Sequence, residues 1–292
     1  MRSYRKKRKL RKTRKRRQRG GNPDKCIFVN LFAGIGNQLF MYAAALTVKD
    51  RTKLPICLLP MKHNKHSSKD YRSILFKQGR PVDLNEATVR MNTATKVLGD
   101  VVHANSPWAN TNIPENSNKD LILAENYYQN YKSIEPVIPI IREDCKKAFE
   151  ELYPDMKGKI PANSAFMHVR RGDYHEMEIS LDREYYQRAL KELDLATDIK
   201  DIYILSDDIS WCKEQNWVSS KAIQWFESPN ELECLYLMSL CMAGAIISAS
   251  TFSLWGVILG ADQNPSSTIV YPSSWATGPS KSLEFPSRWK AI

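Results

Sequence analysis

The chain of 292 residues is long enough for one large or two medium domains around a real hydrophobic core. Its 42% apolar and 26% charged residues exclude collagenous, wholly disordered and small stapled scaffolds. The net charge of +11 belongs to the first nineteen residues, which hold 13 Lys and Arg and no acid, leaving 30 bases against 32 acids from Gly20 onward.

Residues 1–24 therefore read as a disordered polybasic arm that ends in the hinge Gly20-Gly21-Asn22-Pro23. Such an arm could contact nucleic acid or an anionic surface, could be a nuclear-import address, or could be a solvated tail; phosphate contacts leave no sequence signature to tell which. No apolar stretch of signal-peptide type separates the arm from the first strand-like run, CIFVNLF at 26–32. The six cysteines form no Cys-x-x-Cys pair and have no nearby histidine. They read as buried thiols without zinc or redox chemistry, and the expected location is cytoplasmic.

CIFVNLF, a glycine-rich turn, the Ala-rich stretch 37–50 and LPICLLP at 54–60 compose a β-α-β unit. From 61 to 119 the pattern weakens; loops and short helices are expected there, together with the choice of acceptor. Pro and Gly punctuation at 153–161 divides a first α/β domain, 25–160, from a second, 161–292. The second opens on AFMHVR as a strand, then a helix over 183–193 with Tyr186, Ala189, Leu190 and Leu193 on one face, then the strand DIYIL at 201–205. Ser228-Pro229-Asn230-Glu231 predicts a capping box with Pro at the first helical position. The 27 uncharged residues from Leu235 to Ala261 pass the length test for a membrane span, but SASTFS at 248–253 and the flanking Gly244 and Gly256 break them. A buried helix, a buried strand, a polar loop and a second helix fit better, and TIVYP supplies a last strand. Strands alternating with helices imply parallel, doubly wound sheets.

In such sheets ligands gather beyond the carboxyl ends of the strands, which singles out four segments. Gly36, Asn37 and Gln38 follow the first strand; Leu39 takes the place of a third fingerprint glycine, so a tight turn competes with an anion-binding helix start. His168, Arg170, Arg171 and Asp173 lie in HVRRGDY at a strand end, where a guanidinium fork suits a phosphate or carboxylate; the alternative is an ion pair of either arginine with Asp173. Ser206, Asp207 and Asp208 could hold ribose hydroxyls or base N–H groups, could coordinate a metal, or could only cap a helix. Ser250, Thr251, Phe252 and Ser253 open a helix whose N–H groups would favour phosphate, or serve as an ordinary N-cap. Together the four describe a diphosphate-bearing ligand in a cleft between two α/β halves.

The combination GIGNQLFMYA, HVRRGDY, ILSDDI and LYLMSLC…IISASTFSLWG, in this order across about residues 27–275, resembles the α-1,2-fucosyltransferases of glycosyltransferase family 11. The resemblance implies a glycosyltransferase-B fold, two Rossmann-like halves facing a cleft, that uses GDP-fucose as donor substrate with neither metal nor other cofactor. It implies inverting transfer to a hydroxyl of an oligosaccharide or glycan acceptor, typically O2 of a terminal galactose. Arg170 would then hold the β-phosphate, with Arg171 and Asp173 shaping its loop and His168 against the nucleotide. Ser250, Thr251 and Ser253 would donate to the pyrophosphate, and Gly36, Asn37 and Gln38 would close the cleft near the fucose. Inversion wants a base on the acceptor side, for which Asp173, Glu176 and Glu178 are candidates.

This chain departs from that pattern at Cys234, where the family carries Asp, at Ala249, where it carries Asn, and at Leu254, where it carries Trp; the arm is not a family feature either. A related transferase with another nucleotide-sugar, or an inactive polyanion-binding protein, are the competing readings.

Overall fold

The computed structural model describes residues 25–61, 69–99, 107–108, 111, 113–115, 117–275, 278–279 and 283–292. The polybasic arm and parts of the weakly patterned 61–119 stretch lie outside the described residues.

The first half is built on β1 (Ile27–Val29), α1 (Ile35–Thr52), β2 (Ile56–Leu58), β3 (Gly79–Pro81), α2 (Leu84–Met91), β4 (Thr95–Val97) and β5 (Leu121–Leu123). Its five strands run parallel in the order β3-β2-β1-β5-β4. Strands β3 and β4 and helix α2 stand where loops and short helices were expected. Gly79, Arg80, Pro81, Thr95 and Lys96 are mostly exposed at the two sheet edges, so they carry no apolar alternation to betray a strand.

Two helices, α3 (Tyr131–Ile134) and α4 (Ile138–Leu152), carry the chain to the second half. There β6 (Ser164–Val169), α5 (Gly172–Glu176), α6 (Arg183–Leu195), β7 (Asp201–Ser206), α7 (Ile209–Glu214) and β8 (Ala222–Trp225) come first. They are followed by α8 (Glu231–Leu240), β9 (Gly244–Ile246), α9 (Thr251–Leu259), β10 (Thr268–Tyr271), the small hairpin of β11 (Ser274–Trp275) and β12 (Gly278–Pro279), and β13 (Lys290–Ala291). The six-stranded sheet is wholly parallel in the order β13-β10-β9-β6-β7-β8, the arrangement of a dinucleotide-binding sheet with its reversal between β6 and β9. In the first sheet the reversal falls between β1 and β5.

The uncharged run 235–261 resolves into the lower part of α8, β9 and α9, with Leu235 to Met238 and Ser253 to Leu259 buried. Among the described residues no helix is long and apolar enough to cross a membrane. The apolar faces of these helices are covered by one another, by α1 and α4, and by β6. Phe40 of α1 meets Trp255 of α9 at 5.2 Å between ring centroids, and one continuous apolar core runs through both halves. The cap of α8 is Asn230, which accepts from the Leu232 N–H at 3.1 Å, so the capping residue is two positions later than Ser228 and Pro229 precedes the helix. Ser228 instead donates its hydroxyl to the Glu233 carboxylate at 2.6 Å. All six cysteines are free thiols, and only Cys234 is not fully buried.

Candidate active site

The carboxyl ends of the two sheets face one another across a cleft of about 500 Å³. The first half contributes residues 33–37 and Tyr127; the second contributes the ends of β6 and β7 and the first turns of α8 and α9. This is where parallel sheets place ligands, at the reversal of strand order. A second hollow of about 410 Å³ between α4, α8 and α9 lies away from the strand ends.

Strand β6 is buried along its whole length and delivers its last residues to the cleft. His168 remains 5% exposed and meets the Ser248 hydroxyl through Nδ1 at 3.0 Å, with Phe252 5.4 Å away. Burial, helped by the charge of Arg170, lowers its pKa to about 3, so the ring is neutral at ordinary pH. Arg170, the first residue past the strand, donates from Nη2 to Asp173 Oδ1 at 2.6 Å and lies 2.9 Å from Asp207 Oδ2 through Nη1. Its guanidinium also covers the Tyr174 ring at 5.4 Å.

The neighbouring arginine has a different fate. Arg171 donates from Nε to Asp208 at 3.1 Å and stacks 4.1 Å over Trp211, outside the cleft lining. Its backbone N–H donates to Asp207 Oδ1 at 2.8 Å. Asp207 thus ties the HVRRGDY turn to β7, and it does so at close range: a β-carbon on Gly172 would sit 2.5 Å from Asp207 Oδ2. Asp208 caps α7 through the Trp211 N–H at 3.1 Å and also stays off the cleft.

Past β9 Ser250 caps α9 by accepting from the Phe252 N–H at 3.3 Å. Thr251 donates to Asn37 Oδ1 at 3.1 Å, and Gln129 donates to the same oxygen at 2.7 Å. With Oδ1 accepting twice, the amide orientation of Asn37 is set by the two halves together. Gly36 packs so tightly that an added β-carbon would lie 2.5 Å from the Thr251 carbonyl carbon. The first helix turn of one half and that of the other therefore touch backbone to backbone at the cleft floor.

Of the residues read from the sequence, Gly36, Asn37, His168, Arg170, Asp173, Ser206, Asp207, Ser250, Thr251 and Phe252 line this cleft. Five do not. Gln38 is fully buried and donates to the Ala33 carbonyl at 2.8 Å; Ser253 is fully buried and donates to the Ser250 carbonyl at 3.1 Å. Arg171 and Asp208 pair with each other, as above. Glu178 is exposed beyond the end of α5 in a left-handed conformation with φ 57°, so the chain has already turned away from the ligand side. Glu176 is likewise exposed and off the lining.

Two further cleft residues had no sequence signal of their own. Glu231, read from the sequence only as the last residue of a capping box, lines the cleft beside Cys234, one turn on. Burial raises its pKa, opposed by the nearby Tyr71 hydroxyl of the first half. Tyr127, an aromatic in an unpatterned loop, lines the first-half wall. Burial, reinforced by Glu233 and Glu231, pushes the Cys234 thiol up to about 12, so it faces the cleft as a neutral group.

The sequence profile described as glycosyl transferase family 11 matches residues 113–284. The chain belongs to glycosyl transferase family 11. As a family 11 chain it is a glycosyltransferase, and its two parallel-sheet halves around a cleft form a glycosyltransferase-B fold. It is 26% identical over 307 residues to the O-antigen biosynthesis glycosyltransferase WbnK of Escherichia coli, covering 89% of this chain and 98% of that one. A shorter match, 31% identical over 106 residues, joins 33% of this chain to 36% of an alpha-1,2-colitosyltransferase of Escherichia coli. Among solved structures it is similar to POFUT1 in complex with GDP-fucose, with TM-score 0.48, 12% identity, and coverage of 86% of this chain and 98% of that chain. It is also similar to the fucosyltransferase NodZ from Bradyrhizobium, with TM-score 0.46, 12% identity, and coverage of 81% and 93%.

Proposed function

We propose that this family 11 enzyme moves L-fucose from GDP-fucose to O2 of a galactoside with inversion and without a divalent metal. The observation that carries the reading is that Arg170, at the end of β6, and the N-terminal turn of α9, past the neighbouring β9, line one cleft. A diphosphate between them would meet a guanidinium fork on one side and the helix N–H groups with the Thr251 hydroxyl on the other. Arg170 already has Asp173 and Asp207 as partners, so a phosphate competes with two carboxylates for it.

As the bond from fucose C1 to the diphosphate breaks, negative charge grows on the leaving oxygen, which would draw Arg170 from Asp173 and Asp207 and the Thr251 hydroxyl from Asn37. The neutral His168 supports the nucleotide side without adding a second positive charge. The acceptor hydroxyl attacks from the opposite face and gives its proton to a carboxylate, for which Asp173 is the cleft-lining member of the original candidates. Glu231, next to Cys234 on α8, is placed to accept from the guanine N1–H and N2–H edge, a task Cys234 cannot perform as a neutral thiol.

The test is a titration of the protein with GDP, GDP-fucose, UDP and ADP in EDTA, alongside Arg170→Ala, followed by transfer assays on galactosides. Tight binding of GDP and GDP-fucose that the variant loses supports the donor site; absence of any nucleotide binding by the folded protein defeats it. The matched alpha-1,2-colitosyltransferase favours a second reading in which colitose replaces fucose, and a donor panel containing both sugars decides between them.

A further inference from the structure

The cleft has two reversals of strand order, and only the one between β6 and β9 is occupied by the donor reading. At the other, the chain leaves β1 through Asn30 and Phe32 and leaves β5 through Glu125 and Tyr127. The Phe32 and Tyr127 rings meet at 5.4 Å with a 48° tilt, and Tyr127 is 36% exposed on the cleft wall. Beside them the Asn30 amide donates to the Glu125 carboxylate at 3.0 Å.

The placement of this aromatic pair, Tyr127 exposed in the cleft and Phe32 half-buried behind it, is built in. Each ring is followed directly by a residue with a side chain in the left-handed region, Ala33 at φ 59° and Tyr128 at φ 55°. Such conformations persist where surrounding contacts enforce them, and they gather at functional sites. Here the enforcing contacts are plain. Gln38 holds the Ala33 carbonyl at 2.8 Å; Tyr128 donates its hydroxyl to the Ala124 carbonyl, and Trp108 donates to the Tyr128 carbonyl at 3.2 Å. Tyr128 is thereby driven into the core, where Trp108 packs on it at 5.8 Å, while Tyr127 is turned out. An aromatic surface with an amide–carboxylate pair at its edge is the chemistry that receives a pyranose, whose ring has one C–H face and a fringe of hydroxyls.

The geometry points to Phe32 and Tyr127 as the platform of the acceptor sugar, a terminal galactopyranoside stacked through its C3–C4–C5 face, with Asn30 and Glu125 taking its hydroxyls. The choice of a galactoside rests on the function proposed above; the platform itself rests on the fold. Tyr127 and Phe32 are specificity-determining residues in this assignment, and the reacting groups remain on the facing wall.

The experiment has two arms. Saturation-transfer NMR of lactose with the full chain in the absence of donor should give its strongest signals at galactose H3, H4 and H5, lost in Tyr127→Ala and kept in Tyr127→Phe. Initial rates with GDP-fucose and lactose or N-acetyllactosamine should show an acceptor KM raised at least tenfold in Tyr127→Ala, with GDP affinity within twofold of the parent. An unchanged acceptor KM, or lactose signals that survive in Tyr127→Ala, overturns the platform. If the parent shows neither a lactose signal in the first arm nor transfer to lactose or N-acetyllactosamine in the second, the galactoside assignment is overturned. If the parent binds lactose through Tyr127 but binds no guanine nucleotide, the platform stands and the donor reading falls.

Discussion

At the reversal between β6 and β9 the side chains are ionic and hydroxylic: Arg170, Asp173, Asp207 and Ser250 crowd the strand ends. Past the strand ends at the reversal between β1 and β5 stand two aromatic rings, of which Tyr127 lines the same cleft, and an amide–carboxylate pair. Parallel sheets of the same handedness thus present opposite chemistries to one space. Backbone topology fixes where a ligand can sit, and the residues just past the strands fix which one.

The sharpest way to break this division is Arg170→Ala. It should lower turnover by about 10²–10³-fold, the effect of removing one donor from a site where charge develops, and leave lactose saturation transfer intact. Kinetics beside the NMR measurement would check both halves of the statement; loss of lactose contact would mean the walls are not independent.

His168 allows a test of the donor wall in the absence of ligand. Its folded pKa of about 3 lies below the ordinary 6.5, so the fold binds the proton less well than the unfolded chain. The stability this represents is complete above pH 6.5 and drains as pH falls toward 3. Each pH unit is about 1.4 kcal/mol, hence roughly 2 kcal/mol by about pH 5. Chemical denaturation of the parent and of His168→Asn across that range should show this slope in the parent alone.

Glu231→Gln should weaken GDP by about tenfold, the value of a hydrogen bond to a charged group, while affecting UDP little. Because burial raises the Glu231 pKa, GDP affinity of the parent should decline on acidification sooner than for a solvated carboxylate, and the Gln variant should lack that decline. Calorimetric titration over pH 4–7 would show it; an unchanged GDP preference in the variant would place the base elsewhere. The smallest effect is expected from removing residues 1–19: turnover within about twofold of the parent, with any polyanion binding that falls steeply with salt abolished.

Much of the donor wall was legible because strands β6 and β7 and helices α6, α8 and α9 carry dense apolar patterns that bury them, and the polar residues interrupting those patterns mark the strand ends. What could not be read is where adjacent side chains of one motif turn. Arg170 and Arg171 are chemically identical, and only Trp211 and Asp208, brought in by α7, draw the second one away. Glu178 sits close to Asp173 in sequence, but it lies beyond the end of α5, exposed and itself in a left-handed conformation. On the acceptor wall the short strands β3 and β4 lie exposed at sheet edges, and Tyr127 owes its position to a loop whose shape depends on Trp108 and Tyr128. Long-range packing of that kind leaves no local periodicity.

The backbone contact of Gly36 with Thr251 and Phe252, the shared oxygen of Asn37 and the meeting of Phe40 with Trp255 have an engineering consequence. The halves are not interchangeable modules. A chimera that joins the first half of one relative to the second half of another must carry α1 and α9 as a matched pair, because a single methyl at position 36 already collides with the other side of the joint. On the acceptor platform proposed above, sugar specificity is therefore better altered by exchanging the segments 30–33 and 124–128 within one parent than by grafting whole domains.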